Sequence, residues 1–185
     1  MVTNKLHKII NIHKGFTLVE LLVVIGILGI LAAALLATIN PVEQLKRAQD
    51  QSLKNLAAEY LNANNRYFGT NNAMPWSPAS EGGDNCYSGG SSLNAVSLTQ
   101  LTACTTTLIQ DGELKQSFSS ASNLDKVFVT NPSPLTGNSS DTVVCFQPQS
   151  ASQQKESNTK FTNTGGLASG CKSSGGGSNC YWCAQ

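Results

Sequence analysis

The stretch "KGFTLVELLVVIGILGI" (residues 14–30) passes from a basic start into an apolar run that contains one carboxylate, Glu20. From residue 21 to residue 39 all nineteen positions are apolar or small except Thr38. That is long enough for a helix to cross a bilayer. A charged side chain at the centre of a spanning helix costs roughly 2.5–3.5 kcal/mol on insertion scales, and less toward its edge. Glu20 therefore needs a use, or it is a defect.

Lys5, Lys8 and Lys14 precede the run, and the first fifteen residues contain no acid. The positive-inside tendency keeps that end in the cytoplasm and sends the rest outward. Two plainer readings share this pattern. One is a secretory signal peptide, with "AAA" at residues 32–34 standing in for a cleavage site; the other is a simple single-span anchor. Gly26, Gly29, Ala33 and Ala37 are spaced three, four and four apart, so they share one helix face. Small residues so placed let neighbouring backbones approach closely, although spanning helices of many kinds contain them.

The helical period continues beyond Pro41 through Val42, Leu45, Ala48, Leu53, Leu56 and Tyr60, which form one apolar stripe. Glu43 with Arg47, and Asp50 with Lys54, are acid-before-base pairs four apart that support an exposed face. The pattern predicts one helix from about residue 16 to about residue 62, apolar all round at first and on one side later. Pro41 lacks an N–H and crowds the carbonyl of Ala37. Residues 26–41 are therefore the expected place for a kink.

Composition narrows the function. Apart from the three lysines of the first fifteen residues, nine basic residues face eleven acidic ones, which gives no electrostatic reason to expect direct nucleic-acid binding. Both histidines, His7 and His13, also lie in that first segment. Without it a Ser-His-Asp triad, a Cys-His pair or a His-ligated metal is out of reach. The "GGGS" at residues 175–178 lacks the lysine of a phosphate loop. No cofactor and no metal site is expected.

On the residues quoted, the N-terminus resembles that of type IV pilins and the related pseudopilins. The resemblance rests on a short basic leader ending in Gly15, then Phe16, then a glutamate as fifth residue after the junction, inside an apolar helix. It is strong over about residues 14–37 and looser over "YLNANNRYF" at residues 60–68. Pro41 lies further along than the kinking proline common in the family. The resemblance implies an α+β fold, with a long N-terminal helix against a small antiparallel sheet with long disulfide-bonded loops. It implies a cleaved leader (residues 1–15), a membrane and filament-core segment (16–40), an amphipathic half (41–62) and an external head (63–185).

It further implies cutting between Gly15 and Phe16 by a prepilin peptidase, which then methylates the new amine of Phe16. It implies an assembly ATPase acting through a membrane platform protein, and a helical polymer of identical subunits with minor pilins. The chain would span the cytoplasmic membrane once and later be displayed outside, serving adhesion, twitching motility or DNA uptake without catalysis. A pseudopilin of a secretion or competence system is the alternative within the family, and a tethered extracellular binding module the alternative outside it. In the polymer, Glu20 of one subunit meets the Phe16 amine of a neighbour. Each then offsets the other's desolvation, and the contact sets axial register.

The external half is rich in turn formers. Residues 63–105 read as a long loop containing Pro75, Pro78, Gly82, Gly83, Gly89 and Gly90, with Trp76 capping the core. "SLTQLTACTTTLIQDGELKQSF" suggests two short helices around Gly112. "KVFVTN" and "DTVVCFQP" read as a hairpin across "NPSPLTGNSS", and "NCYWCA" as a closing strand. Residues 149–178 read as a surface loop.

All six cysteines, Cys86, Cys104, Cys145, Cys171, Cys180 and Cys183, follow the apolar run. An even count in a polar, loop-rich half suggests disulfides made outside the cytoplasm. "CYWC" resembles a redox pair, but that chemistry needs a helix N-terminus in a βαβ context. Fifteen pairings are possible. The preferred set is Cys86 with Cys104, Cys145 with Cys183 and Cys171 with Cys180, and a four-cysteine zinc site is the rival.

Overall fold

The computed structural model describes residues 15–38, 40–90, 92–131, 142–171 and 179–185. The basic leader with its two histidines, and the turn expected between the hairpin strands, lie outside the described residues. The chain forms two compact units, Met1–Pro41 and Val42–Gln185.

The apolar run forms helix α1, Leu18–Thr38, and a second helix, α2, covers Pro41–Asn71. The single helix expected from residue 16 to 62 is thus two helical elements, with Asn40 non-helical between them. The physical reason is Pro41. A residue before proline is pushed out of the α region, while proline itself is well placed at the first position of a helix. The expected kink is a break, placed at the end of residues 26–41.

The second correction is at the far end of α2, which runs nine residues past Asn62. Leu53, Leu56, Ala57, Tyr60, Leu61, Ala63, Asn64 and Tyr67 are all buried, so the inward stripe persists through "YLNANNRYF". Burial of Tyr67 and Leu61 outweighs the poor helix propensity of the asparagines. Asn64 and Asn71 also donate their amides to the carbonyls of Tyr60 (2.8 Å) and Tyr67 (3.2 Å). The helix stops at Asn72, whose φ of 54° is the left-handed conformation asparagine tolerates just past a helix end. Its N–H bonds the Phe68 carbonyl.

The head is built on a five-stranded antiparallel sheet. Its strands are β1 (Leu93–Ser97), β2 (Val127–Asn131), β3 (Val143–Phe146), β4 (Thr159–Phe161) and β5 (Tyr181–Ala184), in spatial order β1-β2-β3-β5-β4. The hairpin of β2 and β3 pairs as expected, with Val127 opposite Phe146. Alternation turns Val127, Val129, Val144, Phe146 and Trp182 into the core with Tyr60, Trp76, Leu101 and Leu108. Helix α3, Thr102–Gln110, and a 3₁₀ turn, Gln116–Ser120, are the two short helical pieces around Gly112. Trp76 is fully buried in this core.

Two regions expected to be loops contain structure. Residues 63–105 hold the end of α2, strand β1 and the start of α3. Strand β1 was hidden because it is bulged: its register slips between Leu93 and Val96, with Ala95 at a φ of 50°, which breaks the period-two pattern. Residues 149–178 hold helix α4, Ala151–Gln154, and strand β4. Strand β5 accordingly lies inside the sheet, with β4 outside it.

Carboxylates of α2 hold α4 in place. Asp50, only 1% exposed, accepts the N–H of Gln149 (2.9 and 3.1 Å to its two oxygens) and of Ser150 (2.7 Å). Glu43 accepts the N–H of Ala151 at 2.8 Å, and the Ser150 hydroxyl accepts that of Gln153. The orphan donors at the start of α4 are thus satisfied from α2 and from its own cap. The expected exposed pair of Asp50 with Lys54 does not form, because Asp50 is buried on these backbone donors; Lys54 instead bonds Glu156 at 2.9 Å with its ammonium 4.9 Å from the Trp182 ring centroid. Replacing Asp50 by Ala leaves two backbone donors without partners. The expected loss in chemical denaturation of the full chain is about 3 kcal/mol, in the range for buried bonds to a charged acceptor.

Burial pushes the Tyr60 phenol well above its ordinary range, and the Thr105 and Asn64 side chains beside it offset only part of this. Tyr67 is raised as well, by burial and then by its bond to Asp84 at 2.9 Å. For both, the fold favours the neutral phenol. Their contribution is full below the unfolded value of about 10 and is lost as pH rises above it. An ultraviolet titration should therefore show Tyr60 and Tyr67, two of four tyrosines, ionising only as the head unfolds in alkali.

Candidate assembly site at the start of the apolar helix

Gly15, Phe16 and Thr17 are non-helical and exposed just ahead of α1. Among the described residues, nothing lies within 4 Å of where a Cβ on Gly15 would stand. Among the described residues, none covers the junction between Gly15 and Phe16.

Glu20 lies in the first turn of α1. Its Oε2 accepts two hydrogen bonds from Thr17, one from the backbone N–H (3.0 Å) and one from the hydroxyl (2.8 Å). The Glu20 N–H in turn donates to the Thr17 hydroxyl oxygen at 3.2 Å. This reciprocal pair is a capping box, in which a hydroxyl residue and an acid three positions on satisfy donors that a helix start leaves unpaired. The acid also meets the positive end of the helix dipole. The T-x-x-E spacing ahead of an apolar run is itself a sequence signature. Thr17 is the residue that the reading from sequence passed over.

Only one carboxylate oxygen is used in this box; among the described residues Glu20 makes no further hydrogen bond. The site can thus hold a helix start together and still offer an acceptor to a cation arriving from outside the chain.

Downstream, α1 leaves its large side chains bare. Leu21, Leu22, Ile25, Leu28 and Leu31 are each more than half exposed. Residues Leu18–Leu36 are long and apolar enough to cross a membrane, and at 1.5 Å per residue they span roughly the 30 Å hydrocarbon core. A Cβ added at Gly26 or Gly29 would meet nothing within 4 Å. Neither glycine is demanded by contacts with the described residues. Ala33 and Ala37 lie further along the same helix, and Pro41 begins the next.

The cysteines lie apart from this site, in the head, and all six are bonded: Cys86–Cys104, Cys145–Cys183 and Cys171–Cys180. These are the three preferred pairings. Cys145 and Cys183 face each other directly across β3 and β5, Cys86 ties the loop after α2 to α3, and Cys171 ties the segment after β4 to the start of β5. With every sulfur in a disulfide, a four-thiolate zinc site has no ligands.

Neither a curated protein nor a solved structure matches the chain. A family model does, described as the prokaryotic N-terminal methylation motif and covering residues 10–36. It spans the Gly15–Phe16 junction, the capping box and almost all of α1. The chain therefore carries the amino-terminal methylation signal typical of type IV pilins and pseudopilins, joined to an α+β head with a five-stranded antiparallel sheet and disulfide-bonded loops.

Proposed function

We propose that the chain is a structural subunit of a type IV pilus. A prepilin peptidase cuts it between Gly15 and Phe16 and methylates the freed amine. It then waits in the cytoplasmic membrane with its head outside, and an ATPase working through a membrane platform protein adds it to a helical polymer. The observation that carries this reading is the methylation motif placed on a bare apolar helix whose one carboxylate is five residues past the junction.

The geometry of Glu20 supports a double use. Thr17 holds one oxygen while the subunit waits in lipid, which lowers the cost of the charge. The other oxygen receives the Phe16 amine of a neighbouring subunit, and the paired ions desolvate together. The stripe of Gly26, Gly29, Ala33 and Ala37 lets helices of adjacent subunits approach. The function is mechanical, with no reaction to catalyse.

Electron microscopy of cells with and without the protein tests this role. Loss of surface fibres on deletion, with recovery on complementation, is the expected outcome. Normal fibres on the deleted strain would instead place the chain in a pseudopilus or among the minor subunits.

A further inference from the structure

The three disulfides do not all join cysteines that are neighbours along the chain. Cys86 and Cys104 are neighbours in that order and pair with each other. The other two bonds are nested, with Cys171–Cys180 inside the loop closed by Cys145–Cys183. A chain held by its basic N-terminus sends its head outward in sequence order, so Cys145 meets Cys171 and Cys180 before its own partner. That partner follows 38 residues later. At the usual pace of synthesis, this is a delay of roughly 2–8 s. With an efficient oxidant, disulfides form on the scale of seconds, so Cys145 is open to capture while Cys183 is still inside.

The fold lengthens the delay. Cys183 lies on β5, which fits between β3 and β4 and thereby comes opposite Cys145. The geometry that selects the native pair exists only once β5 has docked. Until then the competing loops are shorter: Cys145 to Cys171, and Cys180 to Cys183 within "CYWC". Shorter loops cost less entropy to close.

We propose that the head is a substrate for an exported thiol–disulfide isomerase, which converts the pairs Cys145–Cys171 and Cys180–Cys183 into the native nested pairs. The inference rests on the proposed reading only in placing the head outside the membrane. An exported dithiol oxidase first takes two electrons and two protons from each pair of thiols and closes the bonds between neighbours. The isomerase thiolate then attacks the Cys145 sulfur, forms a mixed disulfide with it and releases Cys171 as thiolate. Cys171 attacks Cys180, closing Cys171–Cys180 and releasing Cys183. Cys183 attacks Cys145, closing the native bond and returning the isomerase thiolate. The exchange consumes no electrons.

Burial gives the exchange its direction. In the folded head Cys145, Cys180 and Cys183 are buried, and Cys145 and Cys183 pack with Phe161 on the outer face of the sheet, away from the main core. Native sulfurs are closed to an attacking thiolate, whereas a wrongly paired Cys183 keeps β5 undocked and its sulfur accessible.

The test is to express the full chain in a bacterial host with and without its exported disulfide isomerase. Thiols are trapped by alkylation, and membrane protein is digested without reduction for mass spectrometry. Without the isomerase, Cys86–Cys104 should persist, while Cys145–Cys183 falls several-fold and Cys145–Cys171 and Cys180–Cys183 appear. The variant Cys171→Ser with Cys180→Ser keeps only bonds between neighbours and should form Cys145–Cys183 equally in both hosts. The variant Cys86→Ser with Cys104→Ser keeps the nested pairs, loses a bond of similar entropic worth, and should still depend on the isomerase. A native map in the isomerase-free host overturns the proposal, and so does equal dependence of both variants. Fully reduced cysteines would contradict an external head and overturn the proposal with it. Absence of fibres would count against the polymer alone, because the map is read on membrane protein.

Discussion

Glu20→Gln should abolish filaments while the subunit still inserts in the membrane and its head still folds. The substitution is chosen because glutamine also serves at the third position of a capping box, so it spares the bond to Thr17 and removes only the charge. In the proposed polymer it would leave the Phe16 amine buried without its counter-ion. Removing one partner of a buried pair costs about 3–5 kcal/mol, roughly a hundred- to several-thousandfold in each association step. Counting fibres, together with membrane fractionation of the variant, reads both halves of the result. The complementary variant, Thr17→Val, loses the hydroxyl and keeps the charge. A missing cap costs about 1 kcal/mol, so fibres should persist at reduced number. If Thr17→Val alone removed fibres and Glu20→Gln did not, the carboxylate would be a helix cap and nothing more.

Deleting the Cys145–Cys183 bond should destabilise the head more than deleting either of the others. The sequence separations are 38, 18 and 9 residues for Cys145–Cys183, Cys86–Cys104 and Cys171–Cys180. The chain-entropy relation then gives losses of about 4, 3 and 2.6 kcal/mol in that order. Against a typical total of about 5–15 kcal/mol for a domain, loss of the first alone brings the head close to unfolding. Double alanine variants of each pair, compared by denaturant midpoint, check the ranking. Burial adds to it, because Cys145 and Cys183 sit in the small cluster with Phe161 on the outer face.

The parts of the fold that were legible in the sequence are those determined locally. Seventeen consecutive apolar or small positions, 21–37, specify α1 whatever surrounds them, and the β-branched runs "KVFVT" and "TVVCF" specify a hairpin. The parts that were not legible depend on distant partners. Asn62, Asn64 and Asn65 discourage a helix locally, and α2 continues through them only because Tyr67 reaches the core. Strand β4 has three residues, too few to show alternation, and exists because β5 offers it an edge. The grip of Asp50 on Gln149 and Ser150 joins positions a hundred apart, which no spacing rule detects. At the candidate assembly site the balance is reversed. Gly15, Phe16 and Glu20 were readable at once, whereas Thr17 was passed over although its spacing to Glu20 is that of a capping box. The use of a single carboxylate oxygen by the cap needed coordinates.

Mass spectrometry of the N-terminus, on protein recovered from the cell surface, tests the central claim most directly. The expected chain begins at Phe16 with one methyl group on its amine. Material that still begins at Met1 would leave Glu20 with no freed Phe16 amine to meet, and material cut after the alanines at residues 32–34 would lack Glu20 itself; either result would contradict assembly through it.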